Sequence, residues 1–333
     1  SIDNTSLTIN YEYDGVGNLT LKSDYASQYN YQPTRPNAVA SVSKINGAGT
    51  ISFGYDGKGN MTSGDGSTLT YNVHNKPVVI AKSGTTSQLF YGASGSRYKQ
   101  VVAAGNTTRT THYIGKHYEV EVTTNGVSSN DKWRAYISDI AIVSHNNSSG
   151  LETRFTHRDR LGSATTITDK WGNITAKRNF DPFGKPRGGD YSDLTALAGS
   201  AKLANNPLDS EMSTYRGFTD HEHLDEVELI HMNGRVYDYN LGRFLSVDPF
   251  IQAPANSQSM NPYSYIMNNP LSGTDPTGYI ADIEEKTEEP PKPKEPPKEK
   301  FKPKKRELWG GSRLHNPHKS NGSGSSGGSA PIV

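Results

Sequence analysis

Small polar and larger apolar side chains alternate along short stretches of the first 110 residues, as in Ser67-Thr68-Leu69-Thr70-Tyr71-Asn72 and Ile51-Ser52-Phe53-Gly54-Tyr55. A period of two puts every second side chain on one face of an extended chain, so each stretch predicts a strand with one packed face. Asp-Gly and Gly-Asn steps stand between these stretches; they accept positive φ and reverse the chain. The clearest unit, Tyr13-Asp14-Gly15-Val16-Gly17-Asn18-Leu19-Thr20, recurs as Tyr55-Asp56-Gly57-Lys58-Gly59-Asn60-Met61-Thr62, with weaker relatives opening at Tyr71 and Tyr91. Strand, turn and strand at this spacing predict an antiparallel hairpin ribbon. Such hairpins cannot bury an apolar face alone and must lean on neighbours.

The strand pattern continues through residues 111–180, in Thr111-His112-Tyr113-Ile114 and around 117–122 and 133–137. The segment HRDRLG (157–162) leads into another alternating strand, Ala164–Asp169, and a turn at Trp171-Gly172-Asn173. Residues 181–190 are rich in Pro and Gly and predict a turn. Leu194, Leu197 and Leu203 lie in an Ala-rich stretch, which makes about 190–206 the one region expected to be helical. The composition changes abruptly after Tyr279: residues 282–307 are almost entirely Glu, Lys and Pro, and a Gly/Ser-rich end follows. Mixed charge with repeated Pro predicts an extended spacer or tail, and so a boundary near residue 280.

Composition narrows the class. With 33 Gly, 19 Pro and 19 Tyr in 333 residues, 32% apolar residues and a mean hydropathy of -0.73, the chain suits a thin sheet with many turns. It does not suit a conventional compact α/β enzyme. The 9% aromatic content argues against disorder throughout. The 35 basic and 34 acidic residues nearly cancel, so no nucleic-acid partner is expected. The absence of Cys excludes disulfides and thiolate metal sites. No apolar run is long enough for a transmembrane helix, and Ser1 opens no signal-peptide pattern. A start at Ser fits an excised or processed fragment.

Four ordered motifs resemble the RHS repeat-associated core domain: HRDRLGSATTITDKWGN (157–173), FDPFGKPR (180–187), YRGFTDHEHLDEVELIHMNGRVYDYNLGRFLSVDPF (215–250) and NPYSYIMNNPLSGTDPTGY (261–279). The YDG-x-GN units resemble the YD repeats that precede that domain. The resemblance divides the chain into a YD-repeat β region (1–110), a core domain (111–279) and a Pro/Lys/Glu-rich linker or tail (280–333). It implies an all-β fold in which antiparallel hairpins form part of a spiralling sheet, a cocoon with a core plug. It also implies a shell that encloses or presents a C-terminal cargo or toxin, and is secreted or delivered by a bacterial secretion or toxin system. The implied partners are that cargo, an upstream shell or delivery-complex protein, and a target-cell receptor.

In several bacterial members of the resembled family the core cuts itself as an aspartyl protease after a P-x4-D-P-x-G-L motif. The matching residues here are Pro270, Asp275, Pro276, Gly278 and Tyr279, with Tyr in place of the terminal Leu. The resemblance assigns the second catalytic aspartate to Asp248, in GRFLSVDP (242–249), and the cut to the bond after Tyr279. Two carboxylates a few Å apart share one proton, so one activates water while the other protonates or polarises the carbonyl. Arg243 is the expected charge partner of the pair. The competing reading is structural: Asp-Pro and Asp-x-x-Gly are turn formers, and both carboxylates would accept backbone N–H bonds. The chain would then be a non-enzymatic surface adhesion or carbohydrate-binding scaffold. His221-x-His223 lacks a third His in register, so neither metal nor other cofactor is expected.

Overall fold

The structure, a computed structural model, describes residues 8–187, 202–203 and 213–283. The helix expected over 190–206, apart from residues 202–203, and the spacer after residue 283 lie outside the described residues.

The alternating stretches become antiparallel strands laid side by side in chain order. The first five, β1 (Tyr11–Tyr13), β2 (Leu19–Lys22), β3 (Ala26–Gln32), β4 (Arg35–Lys44) and β5 (Thr50–Ser52), form one sheet. A second sheet of 13 strands runs from β6 (Gly54–Tyr55) to β18 (Ile174–Lys177), each strand beside its neighbour in sequence. The stretch 51–55, expected as one strand, is divided between them. Ser52 pairs with Ser41 in the first sheet and Gly54 with Ser63 in the second. Phe53, at the crossing, turns into the core against Gly64, where a Cβ would collide with its ring. Strand β12 (Thr107–Ile114) carries the second sheet across residue 110 without a break.

One turn closes many of these hairpins. In Asp56-Gly57-Lys58-Gly59-Asn60 the Asp56 Oδ1 accepts the Lys58 and Asn60 N–H groups, each at 2.9 Å. The Asp56 carbonyl accepts the Gly59 N–H at 3.1 Å. Gly59 has φ +90°, the left-handed region that glycine occupies without strain. The same Asp-x-x-Gly-x geometry recurs from Asp14, Asp159, Asp169 and Asp181. Asn72 plays the same part, accepting the His74 and Lys76 N–H groups at 2.9 and 3.1 Å.

The apolar face of the repeat strands supplies Leu19, Val39, Val42, Met61, Ile80 and Leu89 to a core completed by the chain after residue 180. There, after the short pair β19 (Asn179–Phe180) and β20 (Pro186–Arg187), β21 (Glu222–Leu224), β22 (Leu229–Met232), β23 (Arg235–Asp238) and β24 (Arg243–Phe244) form a four-stranded antiparallel meander. Every residue of β22 and β23 is buried. Ile230, Val236, Tyr237 and Phe244 pack into the shared core, which is how hairpins with one apolar face acquire the neighbour they need. A short hairpin, β25 (Gly273–Thr274) with β26 (Asp282–Ile283), ends the described chain.

Candidate functional site

The Asp275–Tyr279 part of the expected cleavage motif lies in the loop between β25 and β26. Asp275-Pro276-Thr277-Gly278-Tyr279 adopts the turn used by the repeats. Asp275 Oδ1 accepts the Tyr279 N–H at 2.9 Å, the Asp275 carbonyl accepts the Gly278 N–H at 3.3 Å, and Gly278 has φ +74°. The β22–β23 hairpin holds this turn from outside. Gly234 N–H donates to the Thr277 carbonyl at 2.8 Å, and Asn233 Nδ2 donates to the Pro276 carbonyl at 2.9 Å. The approach is close enough that a Cβ on Gly278 would strike the Met232 carbonyl oxygen. The turn also leaves Asp275 Oδ2 free to face inward.

That second oxygen meets Arg235. Arg235 Nη2 lies 3.5 Å from Asp275 Oδ2 and 2.9 Å from Asp248 Oδ2, so one guanidinium joins the two aspartates predicted as a pair. Arg235 Nε donates to the Gly278 carbonyl, and Nη1 donates to the Pro262 carbonyl at 3.1 Å. Its plane sits 3.6 Å from the Phe244 ring centre. Asp248 is set by its own N–H, which donates to the same Pro262 carbonyl at 3.0 Å, and by Oδ1, which accepts the Phe250 N–H at 2.9 Å. All three charged side chains are largely buried, at 3%, 4% and 12% exposure for Arg235, Asp275 and Asp248.

Burial raises Asp248 above the ordinary carboxylate range; the Asp275 charge pushes the same way, while Arg235 and the Phe250 N–H oppose it. Asp248 therefore holds a proton more readily than an exposed aspartate would. Beside the pair lies a cavity of about 30 Å³, space for a single water, lined by Arg235, Asp248, Asp275, Gln252 and Ala281 among others. Arg243, the expected charge partner, is elsewhere. It donates from Nη2 to the Tyr31 hydroxyl at 3.0 Å, and the guanidinium that contacts both aspartates is that of Arg235.

The bond after Tyr279 is held on both sides. Gln252 Nε2 donates to the Tyr279 carbonyl at 2.7 Å, and Gln252 Oε1 accepts the Ala281 N–H at 2.9 Å. The Ile280 N–H donates to Thr277 Oγ1 at 2.9 Å. Tyr279, in place of Leu, has specific partners: its hydroxyl donates to the Gly234 carbonyl at 3.0 Å, and its ring meets Phe250 edge-on at 6.0 Å. Pro270 precedes β25 and is buried.

Arg235, Gln252 and Thr277 were not legible as site residues. Arg235 alone left a trace, because a charge within the apolar run LIHMNGRVY demands a buried partner. The histidines are packed individually. His223 Nε2 accepts the Phe218 N–H at 3.2 Å, His221 Nδ1 pairs with Thr219 Oγ1 at 2.9 Å, and His231 faces the Tyr91 hydroxyl at 3.2 Å. Among the described residues no group of three or more His, Asp or Glu could hold a metal.

No family model matches the chain. The fold is nevertheless shared with solved toxin-complex proteins. A crystal structure of TcdB2-TccC3 aligns over 81% of this chain and 16% of its own, with a TM-score of 0.57 and 17% identity. The Photorhabdus luminescens Tc holotoxin pore aligns over 83% of this chain and 15% of its own, also at a TM-score of 0.57 and 17% identity. The chain thus shares the all-β fold of these toxin-complex structures. Among curated proteins it is similar to the tRNA nuclease WapA of Bacillus subtilis, 26% identical over 279 residues, 81% of this chain. It is also similar to salivary gland surface protein 1 of Aedes aegypti, 38% identical over 123 residues. The chain spans 11% of the length of the first of these and 3% of the second.

Proposed function

We propose that this chain is the C-terminal part of an RHS-type shell that encloses or presents the segment following Tyr279. Asp248 and Asp275 cut the Tyr279–Ile280 bond once, as an aspartyl protease acting on its own chain. The observation that carries this reading is the meeting of both aspartates on Arg235, in a cleft that Ala281 also lines, just past the bond in question. Burial favours a proton on Asp248, which suits donation to the leaving nitrogen, and Asp275 is the partner that takes the proton from water. The cationic Arg235 lets the pair carry negative charge away from solvent.

The wider role follows from relatives. TcdB2-TccC3 has also been crystallised without its hypervariable C-terminal region, and that structure aligns at a TM-score of 0.52. The change of composition after Tyr279 fits such a segment here, with the chain acting outside the producing cell as part of a toxin-delivery assembly. Its partners in this reading are its own C-terminal cargo, an upstream shell or delivery protein and a target-cell receptor.

The adhesion-scaffold reading is favoured by one specific observation: Asp275 accepts the N–H four residues on, as Asp56 does, so a turn alone accounts for its place. A denaturing gel of the wild type beside Asp248→Asn and Asp275→Asn separates the two. Self-cleavage gives two species from the wild type and a single full-length species from each variant. One full-length species in all three samples contradicts it.

A further inference from the structure

We propose that Gln252 is the hydrogen-bond donor that stabilises the developing oxyanion at Tyr279, a role that rests on the self-cleavage proposed above. One primary amide pairs with the carbonyl of the scissile peptide and with the N–H of the peptide that follows it. Nε2 donates to the Tyr279 carbonyl at 2.7 Å and Oε1 accepts the Ala281 N–H at 2.9 Å. The side chain thereby clamps residues 279–281 across the bond. Gln252 is itself exposed, so close packing does not dictate its position, and these two bonds offset the entropy of fixing it. It also lines the cavity shared by Asp248, Asp275 and Arg235, which puts donor, aspartates and space for water on one cleft.

The chemistry assigns each atom a place. Water oxygen bonds to the Tyr279 carbonyl carbon and gives a proton to the ionised aspartate. The carbonyl electron pair moves onto oxygen, where the Gln252 N–H holds it. Collapse of this intermediate restores the C=O and breaks the C–N bond, and the protonated aspartate supplies a proton to the Ile280 nitrogen. That nitrogen is already oriented by its bond to Thr277 Oγ1 at 2.9 Å. One water is consumed and an acid and an amine result. A donor aimed at the oxygen that gains charge lowers the barrier more than it stabilises the ground state.

The test follows cleavage of the full chain after pulse-labelled cell-free translation, with Gln252→Ala and Gln252→Glu beside the wild type and Asp275→Asn. Loss of the donor slows cleavage by about 100-fold in Gln252→Ala. In Gln252→Glu an ionised carboxylate faces the carbonyl at pH 7, so cleavage is slow; below pH ~5 the protonated acid regains a donor and the rate relative to wild type climbs. A side chain that merely tied down the strand would give no such acid limb. Wild-type rates in both variants, or a Gln252→Glu profile parallel to wild type, overturn the role of Gln252 alone. An uncut wild type overturns self-cleavage and this role together.

Discussion

At the scale of single residues, buried charge and buried histidine dominate. Lys22 and Asp181 meet at 2.9 Å with both side chains fully buried, and Asp24 joins Lys22 at 2.7 Å and Lys185 at 3.0 Å. Removing one member of such a cluster strands another without a counter-charge. Lys22→Met is therefore expected to lower stability by about 3 kcal/mol, read from the urea midpoint; an unchanged midpoint contradicts this. Burial depresses His221 to about 4 and His223 to about 3, so both are neutral in the folded chain at pH 6. The unfolded chain binds these protons first, near pH 6.5, so stability falls as pH drops from there towards 4. Asp238, raised to about 6 by burial, and Asp248, also raised, work the other way, but burial depresses three histidines, since His231 joins His221 and His223. The melting temperature should fall between pH 6.5 and 4, and His223→Gln should flatten the decline; a slope unaltered in that variant counts against the account.

At the scale of elements, the five-residue turn explains both what the sequence revealed and what it concealed. Asp-Gly and Gly-Asn steps announced the turns at Asp14 and Asp56, and the same chemistry shapes Asp275-Pro276-Thr277-Gly278-Tyr279. The two readings of Asp275 were thus never exclusive, because one oxygen builds the turn while the other faces Arg235. Asn72 fills the turn position with an amide, and Arg235 keeps Asp248 as its partner, so Asp275→Asn should stay folded, its melting temperature lowered by no more than a few °C, while losing cleavage. A variant that unfolds would assign Asp275 to structure instead. Asp56→Ala, which loses three side-chain bonds of its turn, should cost about 1–2 kcal/mol by chemical denaturation. The meander β21–β24 was not legible, for a clear reason. Strands buried on both faces, such as LIHM and RVYD, lose the alternation by which the repeat strands were recognised.

At the scale of the molecule, pairing in chain order makes a sheet that each hairpin extends by itself, and a later meander covers the face that the hairpins leave apolar. The period-two pattern dictated the ribbon, but not where it divides. That depended on Phe53 finding room over Gly64, a contact no local pattern encodes. The aspartates became legible only through resemblance, because residues so far apart in sequence meet through Arg235, whose place is set by the meander. In the proposed function the arrangement serves one bond. Intact-mass measurement of the chain after folding tests that claim most directly: self-cleavage predicts two masses, matching residues 1–279 and 280–333, and the full-length mass in Asp248→Asn. A single mass of 36.3 kDa from the wild type, or a cut at any other bond, would contradict it.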